Sequence, residues 1–373
     1  MSNTDKLQSL DNYSKTLEEF FSVLLMADDC ATIAALIETV KNGVASLLVM
    51  PYYALFCRAS EEYYDFRFSD VELEKEIYDI RNAIKVYGER FSKSQKRFRI
   101  ADAAQDLLYR NMLRFKFLKK WNIHYNIGIF FDSDGHIIGD TQLIVDSLHF
   151  ENLNEQQQSE KSHMIGKHIS KTIGALYTAY QRNSILPAKS LTGKIPSILY
   201  LDWNTNRKNS IFQNAYSKDV NIFILHLLGT LGFVNYYLAK ILPEDNCWLF
   251  RVRYITTYYV LLGVEKLANF LRTEVSEDDL LVCNSEALIK QRSSLFVSPF
   301  RNCMMHYDLI PNEESIIKQE YLNKEKKFFG LVESCYDGLN FFEFNQKLQS
   351  FTWDLITLLE GHVVIDKKKL EPL

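Results

Sequence analysis

The stretch Ser298-Pro299-Phe300-Arg301-Asn302-Cys303-Met304-Met305-His306-Tyr307 predicts a short helix with defined ends. Ser298 is a favourable N-cap residue, and Pro299 occupies the first helical position, where proline is preferred. Pro311 and Asn312 predict that the helix stops about three turns after its start. The interpretation of the C-terminal half of the chain depends on this short helix.

Three polar side chains on this helix have the chemistry needed to cleave RNA without a metal. The imidazole of His306 can transfer a proton at neutral pH, and the guanidinium of Arg301 stays charged and binds phosphate oxygens. Asn302 and His306 share one helix face, whereas Arg301 and His306 diverge by about 140° around the helix. The long stem of Arg301 can still swing toward His306, but one copy of the helix does not guarantee a compact site.

The arrangement of Arg301, Asn302 and His306 resembles the Arg-x4-His motif of the HEPN superfamily, in which Asn often follows the arginine directly. The resemblance covers the C-terminal half and implies a helical bundle there. It implies a metal-independent endoribonuclease of the toxin or antiviral-defence kind. HEPN proteins typically dimerise so that two motif helices line one cleft, and a homodimer is therefore implied here. Some members of the family are inactive, so a non-catalytic interaction or dimerisation protein is the alternative.

The resemblance also implies roles for individual residues. In this hypothesis the ribose 2′-OH attacks the adjacent phosphorus, His306 transfers the proton, and Arg301 holds the non-bridging oxygens. Asn302 orients a neighbouring group or the phosphate. Tyr307 has two interpretations, stacking on a base of the substrate or packing at the edge of the helix. The expected partners are an RNA substrate, a second copy of the chain, and an antitoxin or sensor protein.

Length and composition indicate a folded protein with two domains. A chain of 373 residues suggests two domains at about 100 to 200 residues each. The irregular stretch 187–209 favours a boundary near 205, which gives a mostly helical N-terminal domain of unknown role (1–205) and the HEPN-like domain (206–373). The net charge of −4 argues against bulk electrostatic coating of nucleic acid but permits a local basic cleft.

The sequence predicts no metal site and no cofactor. The six cysteines are scattered without a Cys-x-x-Cys pair, which is typical of reduced cytosolic thiols. The segment Asp132-Ser133-Asp134-Gly135 lacks the third acidic ligand and the closing Glu of a calcium loop, so it predicts a turn. Cys303 and His306 lie three residues apart, but nothing else of a thiol hydrolase accompanies them.

Hydrophobic periodicity predicts a mainly α-helical protein with a small β-hairpin near 123–140. A further short strand is predicted at 198–202. Predicted helices cover residues 7–26, 30–50, 71–91, 95–121, 159–182, 217–242, 247–272, 284–295, 325–336 and 342–360, together with the motif helix.

The uncharged run 220–239 approaches the length of a membrane span. It contains Asn221, His226 and Asn235, which favours a buried helix of the bundle, while a membrane-associated effector is a further alternative. The polar N-terminus carries no apolar signal segment. We therefore expect a cytoplasmic protein with no membrane partner.

Overall fold

The computed structural model describes residues 16–65, 71–112, 125–187, 191, 193–206, 211–212, 216–311 and 314–373. In these residues the protein is mainly α-helical and contains a small antiparallel sheet, which confirms the predicted fold class. The helices are α1 (Leu17–Thr39), α2 (Gly43–Tyr63), α3 (Val71–Ala83), α4 (Phe91–Met112), α5 (Thr141–Ser147), α6 (Glu155–Arg182), α7 (Lys218–Gly232), α8 (Cys247–Glu274), α9 (Leu280–Lys290), α10 (Arg292–Leu295), α11 (Ser298–His306), α12 (Leu331–Cys335) and α13 (Phe341–Glu360).

The first two helices differ from the prediction at their ends. The predicted break between 26 and 30 is wrong, because α1 runs without interruption through Asp29, which is buried and paired in the fold. The true break lies just before α2, where the Asn42 side chain caps the new helix by accepting a hydrogen bond from the Ala45 N–H at 3.1 Å. The predicted start at residue 7 and the predicted end of α4 at 121 lie outside the described residues.

In the described ranges the sheet contains four strands in the order β2, β1, β3, β4, and all neighbours are antiparallel. They are β1 (Ile127–Phe131), β2 (Ile137–Asp140), β3 (Leu199–Trp203) and β4 (Glu371–Pro372). The predicted hairpin is confirmed as β1 and β2, although residues 123–124 lie outside the described part. The chain turns at Gly135, whose φ of 80° suits glycine.

Helix α7 packs directly on β2 and connects the sheet to the helical bundle. A Cβ on Gly232 would lie 1.8 Å from the Ile137 carbonyl oxygen, so only glycine permits this approach. After Gly232 the helix continues through a π-helical segment, Phe233–Leu238, and ends at Ile241. Helix α8 then follows and packs against α7.

Among the described residues, three helices are long and apolar enough to cross a membrane by length and composition: Leu17–Thr39, Gly43–Tyr63 and Lys218–Ile241. Within the apolar 18-residue window of each helix, 67%, 67% and 89% of the residues are buried, in the same order. Packing inside the fold therefore accounts equally well for their composition.

The hydrophobic core is continuous across the predicted boundary at residues 205 and 206. The terminal strand β4 pairs with β3, and Asp29 of α1 pairs with Arg251 of α8. The two predicted domains therefore share a sheet and a buried ion pair, and their division stays a prediction.

Candidate functional site

The motif helix α11 is shorter than predicted and begins one residue earlier. Its N-cap is Val297, without a side-chain hydrogen bond, so the predicted capping by Ser298 is wrong. Pro299 lies in the first turn as expected. The helix ends because Tyr307 adopts a left-handed conformation with φ of 61°, and its N–H donates to the Cys303 carbonyl at 2.9 Å. This C-terminal cap, rather than Pro311, ends the helix.

Tyr307 is buried, with 1% of its surface exposed, so base stacking by this side chain does not fit the structure. Its hydroxyl donates to Asp29 Oδ2 at 2.6 Å, and the Arg251 guanidinium lies 3.8 Å from the centre of its ring. Packing therefore determines the role of Tyr307.

Arg251 anchors the end of the motif helix to the core. Its Nε donates to Asp29 Oδ2 at 2.7 Å, and its Nη1 donates to the carbonyls of Cys303 and Met304 at 3.0 Å each. Carbonyls of the last helical turn often lack a backbone partner. Here the Cys303 carbonyl accepts from both Arg251 and the Tyr307 N–H. A buried ion pair thus fixes the end of α11, immediately before the exposed His306.

Arg301 is partly exposed on the surface of α11. Its Nη1 donates to the Tyr258 hydroxyl of α8 at 2.9 Å, and its Nη2 donates to Asn302 Oδ1 at 3.2 Å. Its guanidinium carbon also lies 5.2 Å from the centre of the Tyr258 ring. These contacts orient the guanidinium without neutralising its charge, so it can still bind an anion.

His306 is exposed and paired with a carboxylate of α2. Its Nδ1 lies 3.4 Å from Glu62 Oε2, and 46% of the imidazole side chain is exposed. The hydrogen bond with His306 lowers the pKa of Glu62 to about 2, with a further contribution from Arg58. Because the carboxylate engages Nδ1, Nε2 is the ring nitrogen available for proton transfer to a substrate.

The structure places Arg301 and Asn302 in the middle of α11 and His306 at its C-terminal end, with different partners. Arg301 and Asn302 contact each other, whereas His306 contacts Glu62. Sequence reasoning missed Glu62 and Tyr258, because both belong to other helices and come close only through the fold. Nothing in the local sequence distinguishes them from neighbouring surface residues.

Cys303 does not act as a nucleophile beside His306 in this arrangement. Its thiol is fully buried, and burial raises its pKa to about 12. The reactive thiolate is therefore disfavoured at neutral pH.

A group of metal-ligating side chains in the β1–β2 turn already holds a cation of the protein itself. One ligand atom each of Asp132, Asp134 and His136 lies within 4.8 Å of the others. Lys240 pairs with both carboxylates, at 2.7 Å for Asp132 Oδ2. Burial opposes ionisation of Asp132, but hydrogen bonds from Lys240 and His136 lower its pKa. These ion pairs stabilise the predicted turn.

Comparisons of the chain with protein-family models, with curated proteins and with solved structures find no match. The resemblance to the HEPN superfamily therefore rests on Arg301, Asn302 and His306 and stays a prediction.

Proposed function

We propose that the protein is a metal-independent endoribonuclease of the toxin or antiviral-defence kind, with Arg301 and His306 as its catalytic residues. The observation that supports this most is the pairing of His306 with Glu62. The Glu62 carboxylate of α2 orients the exposed imidazole. The same short helix carries Arg301, which forms no salt bridge within the described part of the chain. This combination suits proton transfer beside a phosphate.

In the proposed mechanism, the ribose 2′-OH attacks the adjacent phosphorus and the 5′-oxygen of the next nucleotide leaves. The products are a 2′,3′-cyclic phosphate and a 5′-OH. Through Nε2, His306 passes the proton that the 2′-OH loses to the leaving 5′-oxygen, while Glu62 holds Nδ1. Arg301 binds the non-bridging oxygens as negative charge develops, and Asn302 holds the guanidinium in place.

The proposal includes a homodimer in which two α11 helices line one cleft. Within one chain, Arg301 and His306 have separate partners, and a second copy supplies a further arginine and histidine near the same phosphate. We also propose a cytoplasmic location, an RNA substrate, and control by an antitoxin or sensor protein. No cofactor or metal takes part in this mechanism.

The test is cleavage of mixed RNA by purified protein in the presence of EDTA. We expect His306→Ala to lose about 10²- to 10⁴-fold in rate, the usual contribution of a general acid or base. Arg301→Ala should lose activity as well. The matched controls are His163→Ala and Arg182→Ala, which remove an exposed histidine and an exposed arginine from α6 and should retain full activity.

Two results would contradict the proposal. If the wild type and both motif variants cleave RNA equally, Arg301 and His306 are not part of the mechanism. If the pure wild type leaves every RNA intact, the protein is not a ribonuclease under these conditions and the interaction hypothesis gains support.

A non-catalytic interaction protein is the second candidate, and the exposed aromatic side chains of α13 favour it. Phe342 is 58% exposed and Trp353 is 42% exposed. Large exposed aromatic residues are enriched at protein interfaces. This alternative predicts that His306→Ala keeps every cellular effect of the wild type, and a growth assay on expression of each variant distinguishes the two.

A further inference from the structure

Arg81, near the end of α3, is a buried cation that interacts with the charge of Glu62 at longer range but forms no salt bridge among the described residues. Only 5% of its surface is exposed, its Nε is buried without a hydrogen bond, and its Nη1 reaches Asn82 Oδ1 at a long 3.4 Å. In the part of the chain that the structure describes, no carboxylate forms a salt bridge with it. A buried charge in such surroundings is costly unless an anion compensates it.

Lys85 follows Arg81 by one helical turn and adds a second cation. It is half-buried and has no ion pair among the described residues. Burial lowers the pKa of its ammonium group, Arg81 and Arg301 lower it further, and Glu62 opposes them. The ammonium group therefore interacts electrostatically with both Arg81 and the motif arginine.

A chain of ring contacts connects this segment to Arg301. Gly88 packs on Tyr259, where an added Cβ would lie 3.2 Å from Cδ1 of the ring. The rings of Tyr259 and Tyr258 have centres 5.0 Å apart, and the Tyr258 hydroxyl accepts the hydrogen bond from Arg301. The segment after α3 and the motif helix thus contact neighbouring residues of α8.

The cations in this region outnumber their carboxylate partners. Glu62 is already shared between His306 and Arg58, with the Arg58 Nε at 3.0 Å from Oε1, and it also interacts with Arg81 at longer range. The neighbouring Glu61 pairs with Arg58 at 3.5 Å. Arg81, Lys85 and Arg301 form no salt bridge in the described residues. Because the whole chain carries a net charge of −4, this excess of positive charge is a local feature.

We propose that Arg81 and Lys85 form a second phosphate-binding subsite, which holds a phosphodiester of single-stranded RNA next to the phosphate bound by Arg301. This inference rests on the proposed function for the identity of the ligand. Lys85 contacts the phosphate, and the buried guanidinium of Arg81 adds to the positive potential at the subsite. The N-terminal half of the chain then contributes to substrate binding, a role that the motif alone does not include.

The experiment measures binding of a fluorescent 2′-O-methyl oligoribonucleotide, which cannot be cleaved by 2′-OH attack, over a series of salt concentrations. We expect Lys85→Ala to weaken binding and to reduce the slope of log K against log salt by about 0.7, the value for one phosphate contact on a single strand. Arg81→Gln should weaken binding in the same way, with its folding checked by circular dichroism. Lys75→Ala, which removes an exposed lysine from α3, is the control and should bind like the wild type.

Equal affinity and equal salt slope for Lys85→Ala and the wild type would overturn the inference. A competition arm with inorganic phosphate tests the other source of the same chemistry. If phosphate alone binds in a Lys85-dependent way and the oligonucleotide does not, the site is not an RNA subsite. If the oligonucleotide binds through Lys85 but native RNA stays intact, the nuclease proposal fails while the subsite stands.

Discussion

At the scale of single residues, the buried cluster of Asp29, Arg251 and Tyr307 anchors the C-terminal end of α11 to the core. Burial raises the pKa of Asp29, while Arg251 and the Tyr307 hydroxyl favour its charged form. Tyr307→Phe removes the hydrogen bond to Asp29 and leaves the carboxylate with one donor fewer. We expect a loss of about 1–3 kcal/mol in the free energy of unfolding, measured by urea denaturation.

The control for this substitution is Tyr177→Phe on α6, where the tyrosine is 37% exposed. Its free energy of unfolding should stay within about 0.5 kcal/mol of the wild type. Equal effects of the two substitutions would mean that the buried hydroxyl contributes nothing specific to the support of α11.

Glu62 makes stability depend on pH in a defined window. Its pKa falls from 4.5 to about 2 on folding, because His306 and Arg58 favour the carboxylate. A group with a lowered folded pKa stabilises the protein above its unfolded pKa, and this contribution disappears as the pH falls from about 4.5 toward about 2.

Glu62→Gln tests this dependence. The variant should lose less free energy of unfolding than the wild type between pH 5 and about 3, as followed by urea denaturation at several pH values. The difference should be modest, since Glu62 is partly exposed to solvent, which screens its interactions. Parallel pH curves for the two proteins would show that the contact with His306 does not persist in solution.

At the scale of elements, the close packing of α7 on β2 depends on a glycine. Gly232→Ala places a Cβ against the Ile137 carbonyl oxygen, so the helix must move away from the strand. We expect a loss of about 1–3 kcal/mol in the free energy of unfolding, as for overpacked cores.

Gly174→Ala on α6 is the matched control, because its added Cβ meets no atom within 4 Å. It should stabilise the helix by about 0.5–1 kcal/mol, since alanine favours the helical state over glycine. A stable Gly232→Ala protein, measured by the same denaturation experiment, would contradict the described contact between α7 and β2.

Elements with local signals were predictable from the sequence, and those that depend on distant partners were not. The bounds predicted for α8 and α13 agree closely with the structure, because Asn246 and Asn340 cap their N-terminal ends. The break predicted between residues 26 and 30 was wrong, because Asp29 continues α1 and is paired with an arginine 222 positions away. Strand β4 was also missed, because two residues carry no periodic pattern.

The same distinction applies to the candidate site. Arg301, Asn302 and His306 lie close together in sequence, and their chemistry is visible there. Glu62, Arg81 and Lys85 belong to the N-terminal half, and only tertiary packing brings them near the motif. The length of α11 was overestimated, because the left-handed conformation of Tyr307 has no signal in its residue type.

At the scale of the whole molecule, the account predicts a homodimer. Size-exclusion chromatography with light scattering should give twice the mass of the chain. A dilution series that produces monomers should lose ribonuclease activity in parallel, because each cleft needs two copies of α11. A monomer with full activity would contradict the dimeric cleft and would place the complete site within one chain.

The chemistry of the cleavage products tests the central claim most directly. With RNA and EDTA, the account predicts fragments that end in a 2′,3′-cyclic phosphate and begin with a 5′-OH, no cleavage of 2′-O-methyl RNA, and no products from His306→Ala. Fragments that carry a 5′-phosphate, or cleavage of the 2′-O-methyl RNA, would contradict the assignment of Arg301 and His306 to a metal-independent attack by the ribose hydroxyl.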